Sequence, residues 1–282
     1  MEIINYKKYG KCVKLSKGGK TMLVTIDIGP RVIFYGFDGG ENIFYEDSDD
    51  LINKDGDYFK TNLPNKGIWH IYGGHRLWKS PEYIDTYYPD NFPVKVVEEG
   101  ESLTFISEIE STTGIQKYIK ITMDEYGNAV LEHKFVNCRS TATPPIALWT
   151  LSVMDKGAVA RIPLNTEDKG LLPNRNLVLW SYTDIKDERI QLNNDCVMLS
   201  QKNIAKPVKL GMFVQDGVSV DIKGMKFSID FDCLDGDYPD YYCNVETYTN
   251  DIMLEIETLS PIKSLQIGES AVLKSKWSLE KL

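Results

Sequence analysis

Between Phe92 and Asn137 apolar and polar residues alternate in runs of strand length: Phe92 to Val97, Ser102 to Ile109, Ile115 to Met123 and Ala129 to Asn137. Turn markers separate them, at Glu99-Gly100, Thr113-Gly114 and Tyr126-Gly127-Asn128. Short strands at this spacing predict an antiparallel sandwich or barrel, because each strand turns one apolar face to a shared core. The pattern extends in both directions. Upstream, Thr21 to Tyr35 reads as two strands meeting at a bend at Gly29-Pro30, and Gly39-Gly40 supplies a turn before Asn42 to Tyr45. Downstream, Thr143-Pro144-Pro145 forces an extended turn into a near-continuous apolar strand, Ile146 to Met154. Met212 to Gln215 reads as a further strand, and Val218 to Ile222 is expected to pair with Lys226 to Phe231 across Lys223-Gly224. Helix is scarce. Asp184 to Ile190 is the strongest helical candidate, Glu46 to Gly67 reads as a solvated polar loop, and Arg161 to Asn203 is loop-heavy. The expected fold is all-β, with residues 1–282 forming one domain, since sandwiches of this length are commonly single units.

Two stretches depart from simple alternation and carry chemistry. Gly73 to Glu82, GGHRLWKSPE, packs two glycines, His75, Arg76, Trp78 and Glu82 into ten residues. As a glycine-freed loop it can bring His75 and Arg76 to one cavity. As a tight turn its glycines serve only positive φ, and Arg76 ties down carbonyls. In Met253 to Glu257, alternation places Glu255 and Glu257 on one face and Leu254 and Ile256 on the other. Two carboxylates sharing a face repel unless one is exposed or an arginine or ligand lies between them. The alternative is the polar face of a half-exposed strand. Trp149 fits either the core or a platform for a sugar ring. His133, flanked by Glu132 and Lys134, is expected to face solvent or the sheet surface.

Charge narrows the partners. A net charge of -9 disfavours nucleic acid and anionic membrane, which require concentrated basic surface, and leaves a neutral small ligand permitted. No apolar run approaches the ~20 residues of a membrane span, and Met1 to Asn5 lacks the marks of a signal peptide, so a cytoplasmic location is expected. The five cysteines are scattered without a CxxC pair, so no disulfide framework or zinc site is expected and all are read as buried thiols. Asp47, Asp49, Asp50, Asp55 and Asp57 have no glutamate closing a calcium loop, so no metal site is signalled.

Taken together, Gly73 to Trp78 (GGHRLW), Asn244 to Pro261 (NVETYTNDIMLEIETLSP), Gly29-Pro30-Arg31 and the strand from Gly268-Glu269 to Trp277 resemble the galactose mutarotase-like superfamily. The resemblance is spread over the chain and is strongest to a branch carrying the GGHRLW and NVE-YTN/ETLSP motifs. It implies a β-supersandwich of antiparallel sheets and a protein of the aldose 1-epimerase-like class that binds a sugar or glycan end, as monomer or homodimer, without metal or organic cofactor. It also implies roles. Glu257, in Ile256-Glu257-Thr258, matches the general base, and Arg76 matches the arginine that holds sugar hydroxyls. The family's acid is a histidine on a mid-chain strand, where this chain has Trp149-Thr150, so His75 is the remaining candidate. Trp78, Glu82, Trp149, Glu246 and Glu255 complete the expected substrate-binding set, and Lys79, Arg76 and Arg175 are the groups able to hold a phosphate. Three activities remain open: anomer interconversion, sugar binding without catalysis, and glycan cleavage by a lyase or hydrolase. Cleavage by a retaining hydrolase needs carboxyl groups ~5 Å apart across the bond, which Glu255 and Glu257 on one strand cannot easily supply.

Overall fold

A computed structural model describes residues 1–63 and 67–282, so Pro64, Asn65 and Lys66 of the expected Glu46 to Gly67 loop lie outside the described residues. Two ten-stranded antiparallel sheets face one another. The first runs, in spatial order, Glu2–Asn5, Lys11–Lys17, Lys20–Thr25, Val32–Phe37, Gly74–Ser80, Ala147–Met154, Leu254–Leu259, Val245–Thr249, Val208–Met212 and Val178–Leu179. The second runs Ile190–Leu192, Cys196–Ser200, Val159–Pro163, Val218–Ile222, Met225–Phe231, Ser270–Lys281, Ala129–Asn137, Ile115–Met123, Ser102–Ile109 and Lys95–Glu99. This is the all-β supersandwich that the strand pattern and the motifs imply. The meander lies where alternation puts it, with Ile119 opposite His133 and Ile121 opposite Leu131, and Ile222 pairs with Met225 around the Lys223-Gly224 turn.

The core fills the space between the sheets. Ile119, Ile121, Leu131 and Phe135 of the second sheet meet Val24, Val32, Leu148, Leu210 and Ile256 of the first. Trp277 is fully buried, with ring centroids 6.1 Å from Tyr35, 5.9 Å from Phe44 and 5.1 Å from Phe227. The Phe44 and Phe227 contacts are edge-on, and such packing adds about 0.5–1.5 kcal/mol per pair beyond the burial of area.

Several expectations need correction. Asp184 to Ile190 forms successive turns, with Asp187 N bonding Asp184 O and Ile190 N bonding Asp187 O, rather than a helix. The one regular α-helix among the described residues is Asp57–Asn62, inside the stretch expected to be loop; the short Pro239–Tyr242 turn contains left-handed Asp240 and Tyr241. The strand expected over Met212 to Gln215 instead occupies Val208–Met212. Of the five thiols only Cys12, Cys196 and Cys243 are buried, while Cys138 and Cys233 are exposed. Among the described residues no helix is long and apolar enough to cross a membrane.

The largest correction concerns GGHRLWKSPE. Gly74–Ser80 is a strand near the middle of the first sheet, and all seven of its residues are buried. Gly73 and Gly74 begin it at φ 91° and 70°, and a Cβ on Gly74 would lie 2.4 Å from the Val32 carbonyl oxygen. Gly74 therefore permits close approach to the Val32–Phe37 strand and Gly73 to the Tyr45 backbone, rather than a loop. From there the side chains alternate. His75 and Leu77 point between the sheets, while Arg76 and Trp78 point out of the opposite face.

Candidate functional site

The outward face of the first sheet forms a cleft of about 680 Å³. Its floor comes from alternate residues of five adjacent strands. Arg76 lies opposite Leu151, Leu151 opposite Glu257, and Glu257 opposite Glu246. One step along, Val153, Glu255, Tyr248 and Lys209 form a parallel row, and Trp78 lies opposite Trp149. Trp69, Tyr87, Tyr182, Lys54 and Glu82 complete the wall.

The buried charges are paired. Arg76 Nη2 donates to Glu255 Oε1 at 3.2 Å, and its guanidinium lies 4.3 Å from the Trp78 ring centroid and 5.8 Å from that of Trp69. Lys209 Nζ donates to Glu246 Oε2 at 2.7 Å and to Glu257 Oε2 at 3.0 Å, while Trp149 Nε1 donates to Glu257 Oε2 at 2.7 Å. The Lys209 ammonium also lies 4.6 Å from the Trp149 centroid and 4.8 Å from that of Trp180. Gly211 lies against the same ring: a Cβ there would stand 2.6 Å from Cys243 Sγ and 3.1 Å from Trp180 Cζ3.

Burial governs the protonation of these groups. It raises the Glu246 carboxyl well above the usual range, opposed by Lys209 and reinforced by Glu257. Burial likewise raises Glu255, with Arg76 opposing. For Lys209 burial disfavours the charge, but Glu257 and Glu246 outweigh it and hold the ammonium above its ordinary value. In and beneath the cleft five buried atoms have no protein partner: Trp69 Nε1, Arg76 Nε and Nη1, Glu246 Oε1 and Glu257 Oε1. A ligand can satisfy such atoms, and leaving them unpaired is costly.

Arg76, Trp78, Glu82, Trp149 and Glu255 thus line one cleft. Glu246 and Glu257 lie beneath it, 1% and 0% exposed, behind Lys209 and Trp149. Glu257, the expected general base, is therefore not exposed in the cleft, and its Oε2 already accepts two hydrogen bonds. His75 is corrected more sharply. It lies on the opposite face, where its Nδ1 is 2.8 Å from Ser152 Oγ and its Nε2 is 2.7 Å from His133 Nε2, so it does not share the cleft. His133 is likewise fully buried between the sheets rather than at a surface. Burial holds both imidazoles below their ordinary value, His133 at about 4. Sequence reasoning passed over Lys209, Trp69, Tyr87 and Tyr248 as site residues. Alternation in Lys209-Leu210-Gly211 does put Lys209 opposite in sense to Leu210, but nothing local says which strands flank it.

No family model matches the chain, and no curated protein does. Solved structures do. A galactose mutarotase-like protein from Clostridium acetobutylicum superposes with a TM-score of 0.61 at 14% identity, covering 100% of this chain and 98% of that one. The chain has the galactose mutarotase-like fold. A mutarotase candidate from Salmonella typhimurium, YeaD, matches with a TM-score of 0.58 at 9% identity over 96% of this chain and 91% of its own. A TPR-domain containing protein from Parabacteroides distasonis matches with a TM-score of 0.64 at 14% identity, over 96% of this chain and 47% of that chain. The mutarotase-like fold accounts for the long central strands whose alternate residues furnish the cleft. Among the described residues no group of three or more His, Cys, Asp or Glu side chains is placed to hold a metal ion.

Proposed function

We propose that the cleft binds a sugar ring, making this a carbohydrate-binding protein of the aldose 1-epimerase-like class. The observation that carries the reading is the pairing of aromatic walls with incompletely satisfied polar groups. Trp69, Trp78, Tyr87 and Trp149 surround an Arg76 whose Nε and Nη1 have no protein acceptor. A pyranose has apolar C–H faces that pack on indole and phenol rings, and a girdle of hydroxyls that both donate and accept. The expected ligand is a monosaccharide or the end of a glycan, and the assembly a monomer or homodimer.

The proposal is tested by following tryptophan fluorescence while titrating a panel of monosaccharides. At least one sugar is expected to change the emission saturably, and Arg76→Ala is expected to weaken its binding at least tenfold, about 1.4 kcal/mol. Unchanged affinity in that variant would remove Arg76 from the site.

One observation favours catalysis as well. Glu255 lines the cleft, and burial raises its carboxyl towards the range in which a base works at neutral pH. In anomer interconversion a carboxylate takes the anomeric hydroxyl proton while an acid protonates the ring oxygen. Glu255 replaces Glu257 as the base of this reading, because Glu255 lines the cleft while Glu257 is fully buried behind Trp149 and Lys209. Exchange NMR between the anomers of a bound sugar checks it. Glu255→Gln is expected to abolish enzyme-dependent exchange while retaining binding, and no exchange above the buffer rate in the unaltered protein would leave binding alone.

A further inference from the structure

Resting on the sugar reading, we infer that the cleft selects by charge: it admits neutral sugars and excludes those bearing a phosphate or a carboxylate. Both cations of the cleft floor are already engaged by carboxyl groups. Among the described residues lining the cleft the cations are Arg76, Lys209 and Lys54. Lys209 is held between Glu246 and Glu257, and Arg76 pairs with Glu255. Lys54, at the rim, lies over the rings of Phe59 and Tyr87, 5.4 Å and 5.2 Å from their centroids, and faces a cleft that also holds Glu82. Each floor cation is therefore already held by at least one carboxyl group within ion-pair distance.

A phosphate or uronate buried on this floor would lose its hydration without gaining an uncommitted cation there, which is the unfavourable case for a buried charge. The other two groups that could hold a phosphate are elsewhere. Lys79 pairs with Asp85 at 2.7 Å and is absent from the lining, and Arg175 Nε donates to the Asn165 carbonyl. The unpaired Nε and Nη1 of Arg76 ask for acceptor lone pairs, and a hydroxyl supplies these without net charge. The chain's overall charge of -9 acts in the same direction at longer range.

The experiment uses matched probes at fixed ionic strength: glucose, glucose 6-phosphate and glucuronate, and the corresponding galactose set, each titrated by calorimetry. Each neutral sugar that binds is expected to do so at least tenfold more tightly than its phosphate and its uronate. Glu255→Gln, which removes the negative charge beside Arg76, is expected to narrow that gap at least tenfold. If this variant does not fold, the comparison in the unaltered protein decides alone. A phosphate or uronate that binds as tightly as its neutral parent, or more tightly, overturns the charge selection and leaves the sugar reading intact. Failure of every neutral and anionic probe to bind overturns both.

Discussion

Lys209→Met is expected to destabilise the protein by about 3–5 kcal/mol, the usual cost of removing one partner from a buried ionic group. The lysine stem would be replaced by a side chain of similar length, so packing against Trp149 and Trp180 changes little and the loss is mainly electrostatic. Without the ammonium, Glu246 and Glu257 remain directly opposite one another on neighbouring strands, both buried and, when ionised, acceptors only. Two ionised carboxylates cannot be kept there, so the fold must take up a proton or open. Urea unfolding at pH 7.5 measures the effect. The double variant Lys209→Met/Glu246→Gln is expected to recover a large part of the loss, because an amide can donate to Glu257. A loss below about 1 kcal/mol in the single variant would mean that the ion group is solvated and worth no more than a surface pair.

Acid is expected to destabilise the fold through the His75–His133 contact. Both rings are buried between the sheets, with His75 also edge-on to Trp277 at 4.6 Å and subject to the charges of Arg76 and Arg31. The two Nε2 atoms, 2.7 Å apart, can share only one proton, so the contact excludes the doubly protonated pair, and burial disfavours even a single charge. A histidine whose folded value is depressed contributes stability that is present above its unfolded value near 6.5. That stability is lost as pH falls through the folded value, about 4 for His133. The full loss from His133 alone is on the order of 3 kcal/mol. Burial of Glu246 and Glu255 acts with the opposite sign, since their raised folded values favour the protonated form as pH falls. A comparison with His133→Leu separates the two, because the carboxyl contribution is common to both proteins. Urea stability measured from pH 7.5 to pH 4.5 is expected to fall more steeply in the unaltered protein than in the variant. Parallel profiles would show that the pair does not resist protonation.

What could be read from the chain, and what could not, follows from the range over which each feature is determined. Strand periodicity is local. Ile115 to Met123 and Ala129 to Asn137 alternate over nine residues each, and both strands have those bounds. Alternation also placed Glu255 and Glu257 on one face, and both prove to be buried on it. His133 carried a usable signal that its charged neighbours obscured, being in phase with the core residues Leu131 and Phe135. Gly74–Ser80 misled for a different reason. A central strand with both faces covered has no polar face to alternate with, and its glycines resemble turn signals although they serve close backbone approach. Lys209 could not be assigned at all without the sheet order. Only the placement of Val208–Met212 beside Val245–Thr249 and then Leu254–Leu259 turns an ordinary strand lysine into the counterion of two buried glutamates.

The claim at the centre of this account is that a sugar ring occupies the cleft between Trp78, Trp149 and the Arg76–Glu255 pair. Crystals soaked with the tightest-binding neutral monosaccharide test it most directly. The expected result is a pyranose lying against the Trp78 or Trp149 ring with hydroxyls within hydrogen-bond distance of Arg76 Nε or Nη1. A sugar bound elsewhere on the protein, with the cleft holding only solvent, would contradict it.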